Sequence, residues 1–244
     1  MKGLAFARRN AKEFLRNPVM LFFTLGFPII MFLVFQVIKM GTGLTDQMAP
    51  MFSVKTLTVS IAVFSFTFVG LTLSLQIARD RSTALIDRLR VSPMTAIDFF
   101  LGYFLPSLSV AIIQCVFAFV VGFCFGLPLS LGVVCAFITL IVISVFYISL
   151  GVLIGSVFSE KSCGGIASIV VNVTALMGGM FFPLTDGRFK TVLSCFPFLP
   201  SIAIPQSLIY ADYSNLLFYC LIIGAYMILT VTASIFVFKK KLKV

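Results

Sequence analysis

Long apolar runs, each closed by charges or turn residues, organise the chain. Six of them span Val19 to Ile38, Thr56 to Ile77, Phe99 to Phe125, Leu131 to Phe158, Gly165 to Leu184 and Leu216 to Phe238. Each lasts about 20 residues, the length a helix needs to cross a hydrocarbon core. Transmembrane barrels alternate apolar and polar residues in shorter segments. The pattern therefore predicts an all-α fold, a polytopic membrane helical bundle with six transmembrane helices. The fourth run is long enough to tilt or to project past the bilayer. Six spans take up about half of the chain, so residues 1–244 read as a single membrane domain.

The intervening segments have patterns of their own. In residues 1–17, Leu4, Ala7, Ala11, Phe14 and Leu15 fall on one helical face, and Arg8, Arg9, Lys12, Glu13 and Arg16 on the other. This predicts an amphipathic helix on the membrane surface, apolar side in lipid and basic side towards anionic head groups. Asn17-Pro18 ends it and starts the first span. A basic topology signal is the plainer reading of the same residues. Residues 185–215 carry Pro197, Pro200 and Pro205 among Phe, Ile and Leu. That is too apolar for a loop in water and predicts a re-entrant or interfacial helical pair packed on the bundle.

Composition and charge fix the class and the orientation. The chain is 60% hydrophobic with a mean hydropathy of +1.15, beyond what a soluble domain can cover with polar residues. With both termini in the cytosol, all of the 18 Lys and Arg fall inside except Lys39, Lys55, Arg188 and Lys190. The positive-inside rule supports this N-in, C-in arrangement. Topology thus accounts for the basic balance without nucleic acid as a partner. The six cysteines form no CxxC and there is no His, so neither a metal site nor a disulfide framework is indicated.

This orientation places residues 78–95 at a cytosolic mouth. There Leu85, Ile86 and Leu89 share one helical face, with Asp80, Arg81, Asp87, Arg88 and Arg90 around them. Asp87 and Arg90 form a supporting i, i+3 pair, and Pro93 ends the turn. A solvated loop would need only one or two positive charges. Interleaved acids and bases on a presented helix suit a docking surface.

The spans hold no ionisable residue at mid-depth, which speaks against an ion-coupled transporter. No phosphate-binding loop, HExxH or paired intramembrane Asp is present. Two polar stripes remain. Ser65, Thr72 and Gln76 share a face in the second span, and Gly164, Ser168, Asn172, Ala175 and Gly179 recur along the fifth. They line a substrate path or dimer interface, or simply let helices pack closely.

The segment "RDRSTALIDRLRVSPMTAIDFFLGYFLPSL" resembles the region between spans two and three of type-2 ABC exporter permeases. Asp80-Arg81, Asp87-Arg88-Leu89 and Ser92-Pro93 match its charged and closing elements, with Ala84 or Ser82 where the family commonly has Gly. "MGGMFFPL" at Met177 to Leu184 and the following "FPFLPSIAIPQSLI" are similar to the family's fifth-span ending and external re-entrant helices. The N-terminal amphipathic helix is similar to its connecting helix.

The resemblance implies a permease of an ATP-driven exporter in the inner (cytoplasmic) membrane. It would move an amphipathic or apolar substrate, such as a drug, peptide or lipid, out of the cell. Asp80, Arg81, Leu85, Asp87, Arg88, Leu89 and Pro93 would couple to the ATPase, and Arg8, Arg9, Lys12 and Arg16 would belong to the connecting helix. A second permease chain and two copies of a separate ATP-binding subunit are the implied partners. No cofactor belongs to this chain; ATP and Mg would bind the partner, so the chain itself is not an enzyme. A non-transporting assembly or sensor subunit is the alternative, whereas a passive channel should show a charged ring or filter.

Overall fold

The structure is a computed structural model, described for residues 2–16, 18–22, 26–43, 45, 50–83, 95–180 and 187–242. Among these residues it is helical throughout, with no strand. The helices are α1 (Lys2–Arg16), α2 (Pro18–Leu21), α3 (Phe27–Thr42), α4 (Val54–Ser82), α5 (Ala96–Cys124), α6 (Leu131–Val157), α7 (Glu160–Met177), α8 (Arg188–Ser194), α9 (Phe198–Tyr210) and α10 (Leu216–Leu242). Four of them, α4, α5, α6 and α10, are long and apolar enough to cross a membrane. The pair α8–α9, bent by 97°, would make a fifth if counted as one span. The first expected span coincides with α2 and the 16-residue α3, and the fifth with α7, whose first turn is polar.

Local chemistry sets the helix ends. Ser53 caps α4 by accepting from the Thr56 N–H at 3.2 Å. Thr95 and Asp98 form a reciprocal capping box at the start of α5, which satisfies two otherwise orphaned N–H groups. Gly43 closes α3 at φ 64°, a left-handed turn that glycine adopts without a Cβ clash. At 29 residues α4 is about 43 Å long. It exceeds the hydrocarbon thickness of about 30 Å, so its last turn emerges at the end that carries Arg79 to Ser82.

α4 is the axis of the bundle. It packs against α3, α5, α6, α7 and α9, and 83% of its apolar window is buried. Its closest neighbour is α6. A Cβ added at Gly151 would lie 2.5 Å from the Gly70 carbonyl oxygen, and one at Gly155 would lie 2.6 Å from that of Ser74. Small residues four apart on both helices thus bring the backbones together, where dispersion replaces the hydrophobic drive that lipid cannot supply. α10 closes against α6 through hydroxyls. Ser149 and Thr230 are 2.7 Å apart, and Ser234 donates to the Ser149 carbonyl at 2.9 Å.

This contact predicts a sharp steric asymmetry. Gly151→Val should lower unfolding stability in detergent by about 1–3 kcal/mol and reduce monodisperse yield. Gly224→Ala, where an added Cβ meets nothing within 4 Å, should melt like wild type or slightly above. Equal melting of both variants would remove the α4–α6 contact as the organising interface.

Candidate functional site: the end of α4

The expected charged segment begins as the last turn of α4, because the helix continues through Ser82. Four consecutive residues there reach four other helices. Asp80 is 3% exposed, and its carboxylate accepts from both ends of the Arg9 guanidinium, at 3.2 Å each, and from the Tyr103 hydroxyl at 2.8 Å. Arg81 donates to the carbonyls of Gly155 and Phe158, both at 2.9 Å. These lie at the C-terminus of α6, where unpaired carbonyls and the helix dipole favour a cation. Ser82 donates to Glu160 at 2.6 Å, and Arg79 lies 3.9 Å from the same carboxylate. Glu160 opens α7, the helix end that favours an acid.

α1 docks on α5 beside this cluster, and the reason lies in Pro106. Proline has no N–H to donate four residues back, so the Gly102 carbonyl loses its intrahelical partner. The Asn10 amide supplies one, donating to Gly102 O at 3.0 Å. Gly102 also makes room for the Phe6 ring, which a Cβ there would strike. Phe6 packs edge-on to Tyr103, with centroids 4.9 Å apart. Arg9 is further paired with Glu13 at 2.8 Å. Burial works against the Arg9 charge, but the hydrogen bond and charge of Asp80, aided by Glu13, outweigh it and hold its pKa above the ordinary arginine value.

The buried face of α1 is thus Phe6, Ala7, Asn10 and Phe14, which rests on protein. Of the expected apolar face, Ala7 and Phe14 are buried against protein, while Leu4 is 67% exposed and with Ala11 lines an open groove. Asn10 joins the buried residues although it counts as polar in a pattern, because a freed carbonyl demands it. Arg8, Lys12 and Arg16 are exposed on the opposite side. Leu85, Asp87, Arg88, Leu89 and Pro93 lie outside the described residues.

The two polar stripes separate in space. Ser65 and Thr72 are buried and donate to carbonyls of their own helix, Ala62 at 2.7 Å and Phe68 at 2.9 Å. Gln76 is buried and lines an open groove beside α1. Ser168 and Asn172 are exposed on the outer face of α7. Gly179, at φ 71°, sits at the opposite end of the bundle, in a cavity of about 890 Å³ that Lys39, Lys55 and Lys190 also line. Asn10, Gly102, Tyr103 and Glu160 were not singled out by sequence. Pro106 four residues after Gly102 was the available signal for the first two.

A model of the family described as ABC-2 family transporter protein matches residues 38–236. Two curated relatives are each named "Probable multidrug ABC transporter permease YbhR", one from Escherichia coli strain K12 and one from Escherichia coli O157:H7. Each is 27% identical over 128 residues, covering 52% of this chain and 35% of the relative. The aligned part thus spans about a third of the length of these relatives. The family match starts beyond α1, and it contains Asp80, Arg81, Tyr103 and Glu160.

A double-mutant cycle tests the anchorage of α1. Asp80→Asn and Arg9→Gln should each destabilise, with a coupling of about 1–2 kcal/mol in detergent melts. The coupling stays modest because the Arg9 side chain is 40% exposed and partly screened. Additive effects would mean that this pair does not hold the helix.

Proposed function

The chain belongs to the ABC-2 transporter family, and from that premise we propose that it is the permease of an exporter powered by a separate ATP-binding subunit. It is a membrane-embedded, multi-pass protein and the membrane subunit of an ABC transporter. In the proposed arrangement both termini are cytosolic, six segments cross the inner membrane, and α8–α9 form an external re-entrant pair. Two such chains, or this chain and a homologous one, sit on two ATP-binding subunits that hold the ATP and Mg.

One observation carries the mechanical part of the reading. The turn from Arg79 to Ser82 is fastened to α1, α5, α6 and α7 at once, immediately before the segment proposed to dock on the ATPase. A displacement of that segment by nucleotide-driven closure, once it reaches this turn, would be passed to all four helices. Asp80 would drag α1 and α5, while Arg81 would drag the α6 terminus and, through it, the start of α7. Asp80 and Arg81 are therefore assigned a positioning role, and contact with the ATPase is left to Asp87 and Arg88. Substrate of amphipathic or apolar character would pass between permeases along α7, because α4 is enclosed by its neighbours. The exposed Ser168 and Asn172 would face the second permease, since an amide in hydrocarbon favours a polar neighbour.

Co-expression with a candidate ATP-binding subunit, purification and reconstitution test the scheme. Asp87→Lys with Arg88→Glu should abolish co-purification of the ATPase. Asp80→Asn should keep the complex but lower drug-stimulated ATP hydrolysis and uptake into inverted vesicles by about tenfold. A wild-type chain that associates with no ATP-binding subunit would sink the exporter reading in favour of an assembly or sensor role. Loss of the complex in Asp80→Asn would instead make Asp80 a docking residue.

A further inference from the structure

We propose that the groove between α1, α4 and α5 is a binding site for one anionic phospholipid. The groove is open and has a volume of about 1410 Å³. Arg8, Lys12 and Arg16 of α1 and Arg79 of α4 line its rim, all four exposed. The one acid among its described lining residues, Glu13, is already paired with Arg9 at 2.8 Å. Arg79 is shared with Glu160 at 3.9 Å, so Arg8, Lys12 and Arg16 supply the surplus of positive charge that the rim presents to an anion.

Further in, the chemistry changes. Gln76 is 7% exposed, and its Nε2 has no hydrogen-bond partner among the described residues. A buried amide donor left so is expensive unless something polar meets it. Leu105 and Pro106 form the wall on α5, a helix apolar enough to span the membrane. Leu105 is itself exposed, so this wall is open to an acyl chain. A ligand matching the whole groove carries a phosphate for the basic rim, an ester oxygen for Gln76 and a hydrocarbon tail for Leu105. A phospholipid has all three. Inorganic phosphate has the first alone and would leave the apolar wall uncovered.

The site differs from general attraction of a basic helix to a charged surface, because it is concave and draws on three helices. It requires only the membrane embedding of the chain and does not rest on transport or on an ATPase. Its occupant would brace the free side of α1 while Asp80, Gly102 and Tyr103 hold the other.

Native mass spectrometry of the full chain in detergent tests the proposal, with phosphatidylglycerol or phosphatidylcholine added at equal concentration. Wild type should retain phosphatidylglycerol at least about tenfold better, since each basic residue near an anionic headgroup contributes about a factor of five. Arg8→Gln, Lys12→Gln and Arg16→Gln together change only exposed side chains and should erase that preference. Ser109→Trp, which fills the α5 wall and leaves every charge, should also weaken binding. Lys239→Gln with Lys240→Gln removes exposed charge elsewhere and should change nothing. Equal loss in the Lys239 and Lys240 variant would reduce the effect to diffuse attraction and overturn the site. So would full retention in the triple variant or in Ser109→Trp, or displacement of the lipid by millimolar inorganic phosphate.

Discussion

A carboxylate removed from water must be met by donors or it will not stay charged, and the Asp80 carboxylate is removed from water at the end of a membrane helix. Its need for partners gathers Arg9 and Tyr103 from two other helices, and through them fixes where α1 lies. Three charge-assisted or hydroxyl bonds on one carboxylate set both distance and direction, because the guanidinium fork engages both oxygens. The neighbouring residues extend the effect. Arg81 answers the exposed carbonyls of α6, and Ser82 and Arg79 answer Glu160 of α7. One helical turn thereby joins five helices by electrostatic contact, beside the apolar contacts of Phe6 with Tyr103 and of Ala78 with Ile154 and Ala167.

Within the membrane the logic reverses, and closeness replaces charge. Gly70, Gly151 and Gly155 with Ser74 let α4 and α6 approach until backbone meets backbone. The buried hydroxyls of Ser65, Thr72 and Ser156 are satisfied by carbonyls of their own helices, so they demand nothing from a neighbour. α4 runs from the Arg79–Ser82 turn to the end where Val54, Lys55 and Thr56 line the cavity with Lys39 and Lys190. In the proposed exporter its close packing on α6 would link a push at one end to a change at the other.

Four of the six expected spans coincide with helices long and apolar enough to cross a membrane, α4, α5, α6 and α10, because a run of some 20 apolar residues has few alternatives to a membrane helix. The expected first and fifth spans coincide with α3 and α7, which are shorter than the apolar runs. The amphipathic helix was legible as a helix, and Ala7 and Phe14 of its buried face with it, but Asn10 was not. Hydrophobic patterning assigns Asn10 to water, and only the carbonyl freed by Pro106 explains why it is buried. Asp80 posed the same difficulty. A charge beside other charges reads as exposed, and whether it turns inward depends on Tyr103, 23 positions away, and on Arg9, 71 positions away. The polar stripe of α7 was visible as a period, yet its exposure follows from where α4 and α6 leave the bundle surface open.

The two sides of α1 show how little sequence separates a buried anchor from an exposed charge. Arg8 and Arg9 are adjacent, but about 100° of helical rotation leaves one exposed on the groove rim and pairs the other with Asp80. Arg9 is held by groups fixed to the protein, so its position changes only when α4 and α5 move. Arg8, Lys12 and Arg16 face outward, and their partners in the proposed lipid site can exchange with the membrane. With that site occupied, α1 would be tied on one face to α4 and α5 through Asp80 and Gly102 and on the other to the surrounding leaflet.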